Sequence, residues 1–429
     1  MAELTIGSQV KLRNGTSCKI KKELGRGGQG IVYLVDYEGK DYALKWYIIS
    51  CSEAFYENLE RNVKKGAPSS NFLWPEAVTE YQNGSFGYLM KLRPEGYEEV
   101  GAFMLAKAKF SDVNCLLKAC LEICTAFQKL HIVGLSYQDM NDGNFFINPK
   151  TGDVLICDND NVAPNGVNMG IAGKSGYMAP EIVEKESMPN RYTDYFSLSV
   201  ILFILLHLNR PFEGAKTLSY PCITEEIDKK LFGKECVFIL DPNNDSNRPV
   251  RGVHTNVIRR WPLFPSILRN AFIKTFSREA ILTPTKRLMD REWQDVLVQV
   301  RSLYVKCPHC GKYIFINLDK DVTVCSECGK SIIKPAVLKL NKYMIPLLPG
   351  QKIYQAQTST ENDYNKVVAE VVRNPKDPNK WGMRNLSGQA WRVTIPSGEM
   401  KGVDNNGVMP IIPGLSIRFT KDETGEIIK

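Results

Sequence analysis

The 429-residue sequence has no apolar run of the ~20 residues a bilayer-spanning helix requires; the longest, YFSLSVILFILLHL at 195–208, is shorter and reads as a buried helix. The opening MAELTIGSQVKLRNG has no apolar core and passes straight into strand-like alternation, so no secretory signal is expected. Basic runs are missing too. The formal net charge of +8 is spread along the chain, which favours solvated surface lysine over a nucleic-acid face. There is no internal repeat and no low-complexity tract. Eight of the twelve cysteines stand singly, several inside apolar helical stretches such as CLLKACLEICTAFQKL, which argues against a disulfide framework. These absences lead us to expect a soluble, cytoplasmic protein in reducing surroundings, with no membrane and no nucleic-acid partner.

What is present is length enough for two to four domains and an ordinary apolar content of 43 %. The first ninety or so residues alternate as strands, with EGK at 38–40 a hairpin turn. One helical stretch, EAFYENLERNVKKG, stops at Gly66 with Pro68 just beyond. Helical periodicity takes over from Asn114, breaks at 134–180 for loops and short strands, and resumes after Tyr192. A small β-rich lobe followed by a larger helical lobe is the expectation.

Several short motifs carry chemistry. Gly25-Arg26-Gly27-Gly28-Gln29-Gly30 fits G-x-G-x-x-G, but its last glycine opens the strand-like IVYLV rather than a helix, so it reads as a hairpin whose small residues let backbone N–H groups approach phosphates; a plain hairpin is the alternative. Lys45 lies one strand later between apolar neighbours, and would otherwise be an ordinary edge cation. Glu57 and Glu60 fall on the helix that follows; Glu60, flanked by Leu59 and Val63, is the preferred partner for the lysine, and surface glutamate the ordinary reading of both. In YQDMNDGNFFIN, Asp139 precedes Asn144 by five positions, and fourteen residues beyond Asn144 the strand VLI leads to Asp158. A lone Asp-rich turn is usually only a turn. Two at this spacing, both joined to apolar strands, suggest oxygen ligands for a hard cation such as Mg²⁺.

Over roughly 10–303 these residues resemble the eukaryotic-like protein kinase family, and the resemblance continues through Ala179-Pro180-Glu181, Asp194 and Arg287. It implies ATP- and Mg²⁺- (or Mn²⁺-) dependent transfer of a γ-phosphoryl group to a protein serine or threonine. Gly25, Gly27, Gly28 and Gly30 would cover the phosphates. Lys45 and Glu60 would orient them, with Val32, Ala43, Met90 and Leu92 around the nucleotide and 90–94 as the linker between lobes. Asn144 and Asp158 would hold the metal, and Asp139 would align the acceptor hydroxyl; Glu181 would pair with Arg287. Departures accompany the match. Tyr137 and Gln138 replace the usual His-Arg, so the arginine that ordinarily binds an activation-segment phosphate is missing. Asn141 stands for a lysine, and Asn159-Asp160 for Phe-Gly, which places an extra carboxylate near the metals. The segment 159–173 is read as a compact, mobile activation segment, with Ser175 a candidate modification site. A small-molecule phosphotransferase and a pseudokinase scaffold are the alternatives.

Beyond 304 the sequence changes character. Cys307-Pro-His-Cys310 and Cys325-Ser-Glu-Cys328, fourteen residues apart and each followed by glycine, have the spacing of a structural Cys₄ zinc ribbon. His309, between two ligands, reads as a solvent or outer-shell group. The remainder alternates as an all-β module, in which KWGMRNLSGQAW and PIIPGLSIRF resemble late strands of a forkhead-associated β-sandwich. Gln351-Lys352-Ile353 occupies the place of the phosphothreonine-binding arginine, implying a degenerate docking module; an unrelated small β-domain is equally consistent. The fold class expected is therefore α+β: a bilobal protein-kinase-like fold (1–92 and 93–304), a zinc ribbon (305–332) and an all-β sandwich-like domain (333–429). Relatives joining a kinase to such a ribbon resemble bacterial systems and imply a von Willebrand type A protein as substrate and an opposing metal-dependent phosphatase as partners.

Overall fold

The computed structural model describes residues 3–81, 85–170, 173–361, 363–377 and 380–429. Of the stretches singled out in the sequence, residues 1–2 of the opening MAELTIGSQVKLRNG, 82–84 of the strand-like first ninety and 171–172 of the expected activation segment lie outside them. The chain divides into two compact units: 1–258 with 272–291, and 259–271 with 292–429.

The first unit opens with a six-stranded antiparallel sheet formed by Gln9–Lys11 (β1), Ser17–Arg26 (β2), Gly30–Tyr37 (β3), Lys40–Tyr47 (β4), Ala77–Val78 (β5) and Gly87–Lys91 (β6), in the order β1-β2-β3-β4-β6-β5. Period-two alternation decides what each strand buries. On β4, Leu44 and Trp46 join Ile31, Tyr33 and Val35 in one apolar cluster. Ala43 and Tyr47 face the other way and pack with Phe55, Tyr56, Leu59, Tyr88 and Met90. Lys45, between them in sequence, shares the second face. The β3–β4 turn places Glu38 (φ 52°) and Gly39 (φ 75°) in the left-handed region, the geometry that matches strand twist in a two-residue hairpin.

Helix Glu53–Lys65 (α1) starts where Ser52 accepts the Phe55 N–H at 3.2 Å and ends at Gly66, whose φ of 77° suits only glycine well. The helical part that follows is built on Val113–Ile132 and Arg191–His207, the second capped reciprocally by Asn190 and Thr193 and buried at every residue from Thr193 to His207. Burial on all sides accounts for its nearly continuous apolar sequence. Among the described residues no helix is long and apolar enough to cross a membrane. Two short antiparallel pairs lie between these helices: Leu135–Ser136 with Ala163–Pro164, and Phe145–Ile147 with Val154–Ile156. They fix the ends of the loop that carries Asp139 and Asn144.

In the second unit, two hairpins (Tyr304–Lys306 with Tyr313–Phe315, Val322–Val324 with Ser331–Ile333) hold the cysteines. The rest of this unit contains two antiparallel sheets of six and four strands, which account for the alternating pattern of the sequence. The division differs from the sequence expectation, which ran the helical lobe to 304. Most of helix Asp290–Ser302 belongs with the second unit: Gln299 exchanges two hydrogen bonds with the Met344 backbone (2.7 and 2.8 Å), and Arg301 donates to the Tyr364 carbonyl at 2.7 Å. An amphipathic helix at a boundary gives no sign in its own sequence of which neighbour will cover it.

Candidate active site

The glycine hairpin joins β2 to β3. Gly25 and Arg26 pair with Val32 and Ile31, and Gly27 donates to the Gly30 carbonyl at 2.9 Å. Gly30 is fixed by close approach: a Cβ there would sit 2.5 Å from the Trp46 carbonyl oxygen. Gly25 and Gly28 have open space above them. Val32 lies opposite Lys45 across β3–β4, and Ala43 opposite Met90 across β4–β6. Leu92, just past β6, is exposed.

Lys45 is buried and reaches two carboxylates, Asp160 Oδ2 at 2.8 Å and Asp158 Oδ1 at 3.2 Å. Burial opposes its charge, but Asp160 and then Asp158 outweigh that and raise its pKa. The two aspartates differ in setting. The Asp158 side chain is 42 % exposed, whereas that of Asp160 is wholly buried. Asp160 also accepts hydrogen bonds from the hydroxyls of Tyr47 and Tyr88.

Glu60 is not at Lys45. It pairs with Arg13 at 2.6 Å, while Glu57 is exposed. The sequence expectation for Glu60 is corrected on this point, and the reason is local. The inward face of α1 is Phe55, Tyr56, Asn58, Leu59 and Asn62, so a residue adjacent to Leu59 falls on the flank, within reach of Arg13. Asn58 and Asn62 instead donate to the Val162 carbonyl at 2.9 and 2.8 Å, so the helix supports the loop that follows Asp160.

Asp139 and Asn144 share one loop. The Asn144 amide donates to the Asp139 carbonyl at 2.8 Å, and Asn141 donates to the same oxygen at 3.3 Å. The Cys157 N–H donates to the Asn144 carbonyl at 2.9 Å, tying this loop to the strand end that presents Asp158. Burial pushes the Asp139 carboxyl above the ordinary carboxylate range, with a hydrogen bond from Asn141 opposing the shift and nearby Asp158 and Asp160 adding to it. Gln138 (φ 73°) and Asp158 (φ 51°), which flank or form the site, are two of the seven described non-glycine residues with positive φ. Such backbone costs on the order of 1 kcal/mol or more and persists only where the surroundings impose it.

The surroundings are visible. Asp194 accepts from the Tyr137 and Gln138 N–H groups at 2.8 and 3.4 Å. Behind it, His131 bridges Asp194 (3.0 Å) and Asp290 (2.8 Å); burial disfavours its charge, but the two carboxylates prevail and raise its pKa to about 9. The Tyr137 hydroxyl donates to the Cys157 carbonyl, and Gln138 Nε2 to the Val167 carbonyl at 2.8 Å. Asn159, fully buried, donates to the Leu73 and Ile156 carbonyls at 2.8 and 2.9 Å, so hydrogen bonds stand where the resembling family packs a phenylalanine. Glu181 and Arg287 form a buried two-pronged ion pair, both prongs at 2.7 Å.

Cys307, Cys310, Cys325 and Cys328 have sulfurs within 4.8 Å of one another, with Cys307–Cys328 and Cys310–Cys325 each at 3.9 Å. A tetrahedron with Zn–S bonds of ~2.3 Å has edges of ~3.8 Å, so the donor set fits Zn²⁺. Gly311 (φ 74°) and Gly329 (φ 71°) turn the chain back so that their N–H groups meet the Cys307 and Cys325 carbonyls at 3.0 and 2.9 Å. His309 Nε2 contacts the Ser331 carbonyl at 3.0 Å, and its backbone N–H donates to Cys307 Sγ at 3.4 Å.

Sequence reasoning missed the hold of Asp160 on Lys45. A signal existed: Lys45 and Tyr47 lie two apart on one strand and Tyr88 opposite, so one face gathers three donors that call for a buried acceptor.

The family model for the protein kinase domain matches residues 18–250. Among curated proteins, a probable serine/threonine-protein kinase of Dictyostelium discoideum is 26% identical over 225 residues, covering 49% of this chain and 16% of that protein. Protein kinase C-like 1 of Caenorhabditis elegans is 27% identical over 203 residues (45% and 28%). Protein kinase C delta type of Mus musculus is 26% identical over 242 residues (48% and 34%). The chain thus spans between about a sixth and a third of the length of these relatives.

Proposed function

Because this chain belongs to the protein kinase domain family, we propose that it transfers the γ-phosphoryl group of ATP to a serine or threonine hydroxyl of a protein. The observation that carries the reading is the meeting of Lys45 with Asp158 at 3.2 Å beside a loop in which Asn144 is bound to Asp139 at 2.8 Å. Phosphoryl transfer needs little covalent work from a protein; it needs positioning and charge neutralisation.

In this reading the glycine hairpin lies over the phosphates and Lys45 binds their oxygens. Asn144 and Asp158 would hold Mg²⁺ or Mn²⁺, whose oxygen preference suits that donor pair; the ion neutralises phosphate charge. Asp139 orients the acceptor hydroxyl and takes its proton. Asp194 holds the backbone at Tyr137 and Gln138, immediately before Asp139, and so fixes the base. The Glu181–Arg287 pair stiffens the platform on which a peptide acceptor would rest, which favours a protein over a small metabolite. The four cysteines would hold a structural Zn²⁺ with no vacant position. The β-rich end would dock protein, and by resemblance to bacterial kinase–ribbon fusions a von Willebrand type A protein and a metal-dependent phosphatase are proposed as substrate and counterpart.

Purified protein incubated with γ-labelled ATP and Mg²⁺, alone and with generic protein acceptors, tests the proposal. Label on protein serine or threonine supports it. Label on a small metabolite supports the phosphotransferase reading, and nucleotide binding without transfer supports a scaffold; either result overturns it.

A further inference from the structure

The helix that would supply the carboxylate partner of Lys45 in the resembling family supplies none here: Glu60 is taken by Arg13 at 2.6 Å and Glu57 is exposed. Yet Lys45 is buried, and a buried ammonium needs a paired carboxylate. Asp160 provides it at 2.8 Å, with no exposure of its own side chain. Its two oxygens are held by hydroxyls from the sheet, Tyr47 on Oδ2 and Tyr88 on Oδ1. Tyr47 stands two residues from Lys45 on β4, and Tyr88 is the cross-strand partner of Lys45 on β6. Asp160 therefore belongs to the metal-loop segment by sequence and to the sheet by hydrogen bonding.

We propose that Asp160 is the positioning residue that holds Lys45 on the nucleotide phosphates, replacing a glutamate of α1. The inference rests on the nucleotide reading of the site given above. An ammonium has three N–H donors; Asp160 fixes one from the buried side, and the rest remain directed toward the exposed Asp158 and the phosphates. The consequence is regulatory. A lysine held by a helix glutamate loses its partner when the helix swings, whereas Asp160 sits two residues from Asp158, so lysine and metal carboxylate are set by one short segment. The α1 helix reaches that segment through hydrogen bonds from Asn58 and Asn62 to the Val162 carbonyl.

The test compares Asp160→Asn, Asp160→Glu, Tyr88→Phe and Glu60→Gln in the full chain. It measures the Kd of a fluorescent ATP analogue directly and, separately, KM for ATP, KM for a generic acceptor, and kcat. Removing one member of a buried charge pair predicts a ~10- to 100-fold weaker Kd and higher KM for ATP in Asp160→Asn, with KM for the acceptor within ~2-fold of the parent. Asp160→Glu regains part of the loss, and Tyr88→Phe, which keeps the charge and folds even if Asp160→Asn does not, shows a smaller shift of ~2- to 5-fold. Unchanged nucleotide affinity in both Asp160→Asn and Tyr88→Phe overturns the proposal, as does a Glu60→Gln shift as large as that of Asp160→Asn. Because Kd is read without turnover, a parent protein that binds nucleotide but transfers no label would defeat the kinase reading while leaving the role of Asp160 to be decided by the same affinities.

Discussion

The charge cluster at Lys45 and the Glu181–Arg287 pair are both buried, yet they are composed differently. Arg287 meets Glu181 through two prongs and spends further donors on the carbonyls of Ala280, Tyr192 and Ile281, so its charge and its N–H groups are answered inside the fold. At Lys45 one cation faces Asp158 and Asp160, with Asp139 adding to the negative field. The first arrangement is complete without anything else. The second has an excess of carboxylate on its open side, where a divalent cation and a nucleotide would restore the balance. The four cysteines extend the contrast, since their sulfurs, all within 4.8 Å of one another, form a donor set that fits Zn²⁺.

Removing zinc should have the largest effect. Structural zinc sites contribute ~10 kcal/mol or more of apparent folding free energy; Cys325→Ser with Cys328→Ser should lower zinc, measured by plasma emission, from about one atom per chain to near none, with loss of hydrogen-exchange protection over 304–333. In the open cluster, Asp158→Asn should lower label transfer from ATP by ~10³-fold or more with an unchanged circular dichroism spectrum. The closed pair should respond the opposite way. Arg287→Ala leaves Glu181 buried without a partner and should cost ~3–5 kcal/mol of stability in denaturant unfolding, while Glu181→Met with Arg287→Met recovers much of it. If Arg287→Ala instead lowered kcat without touching stability, the contrast between the two regions would fail.

His131 supplies a pH-dependent version of the same test. Its ring faces Asp194 and Asp290, with Tyr195 edge-on at 5.1 Å, and its pKa is raised from an ordinary 6.5 to about 9. A histidine raised in this way contributes stability that is complete below its unfolded pKa and is lost as pH climbs through its folded one. Unfolding free energy should therefore fall by about 3 kcal/mol between pH 6.5 and 9.5, and His131→Gln should flatten that slope. The smallest effect is expected from Asn141→Lys, within a few-fold on kcat, because Asn141 already serves the loop by donating to the Asp139 carbonyl and accepting from Gly143 N–H at 2.9 Å.

Much of the site was legible because its signals are short-range. The glycine hairpin, the position of Lys45 on β4, the loop from Asp139 to Asn144, the strand end at Asp158 and the paired cysteines each depend on spacings within a few residues. The structure brings Lys45 to Asp158 and the four sulfurs to one point. The choice between Glu60 and Asp160 was not local. Both are carboxylates at plausible separations, and only the fold shows that one lies on a helix flank beside Arg13 while the other is enclosed by Tyr47 and Tyr88. The division of the chain at helix Asp290–Ser302 was hidden for the same reason, since an apolar stripe does not name its partner.

Calorimetric titration of ATP, with Mg²⁺ and with EDTA, into the parent protein and Asp158→Asn tests most directly whether the acidic excess at Lys45 is a metal–nucleotide site. The account predicts at least ~10-fold tighter binding with Mg²⁺ in the parent and no such gain in Asp158→Asn. Equal affinity in EDTA, or an undiminished Mg²⁺ gain in the variant, would contradict it.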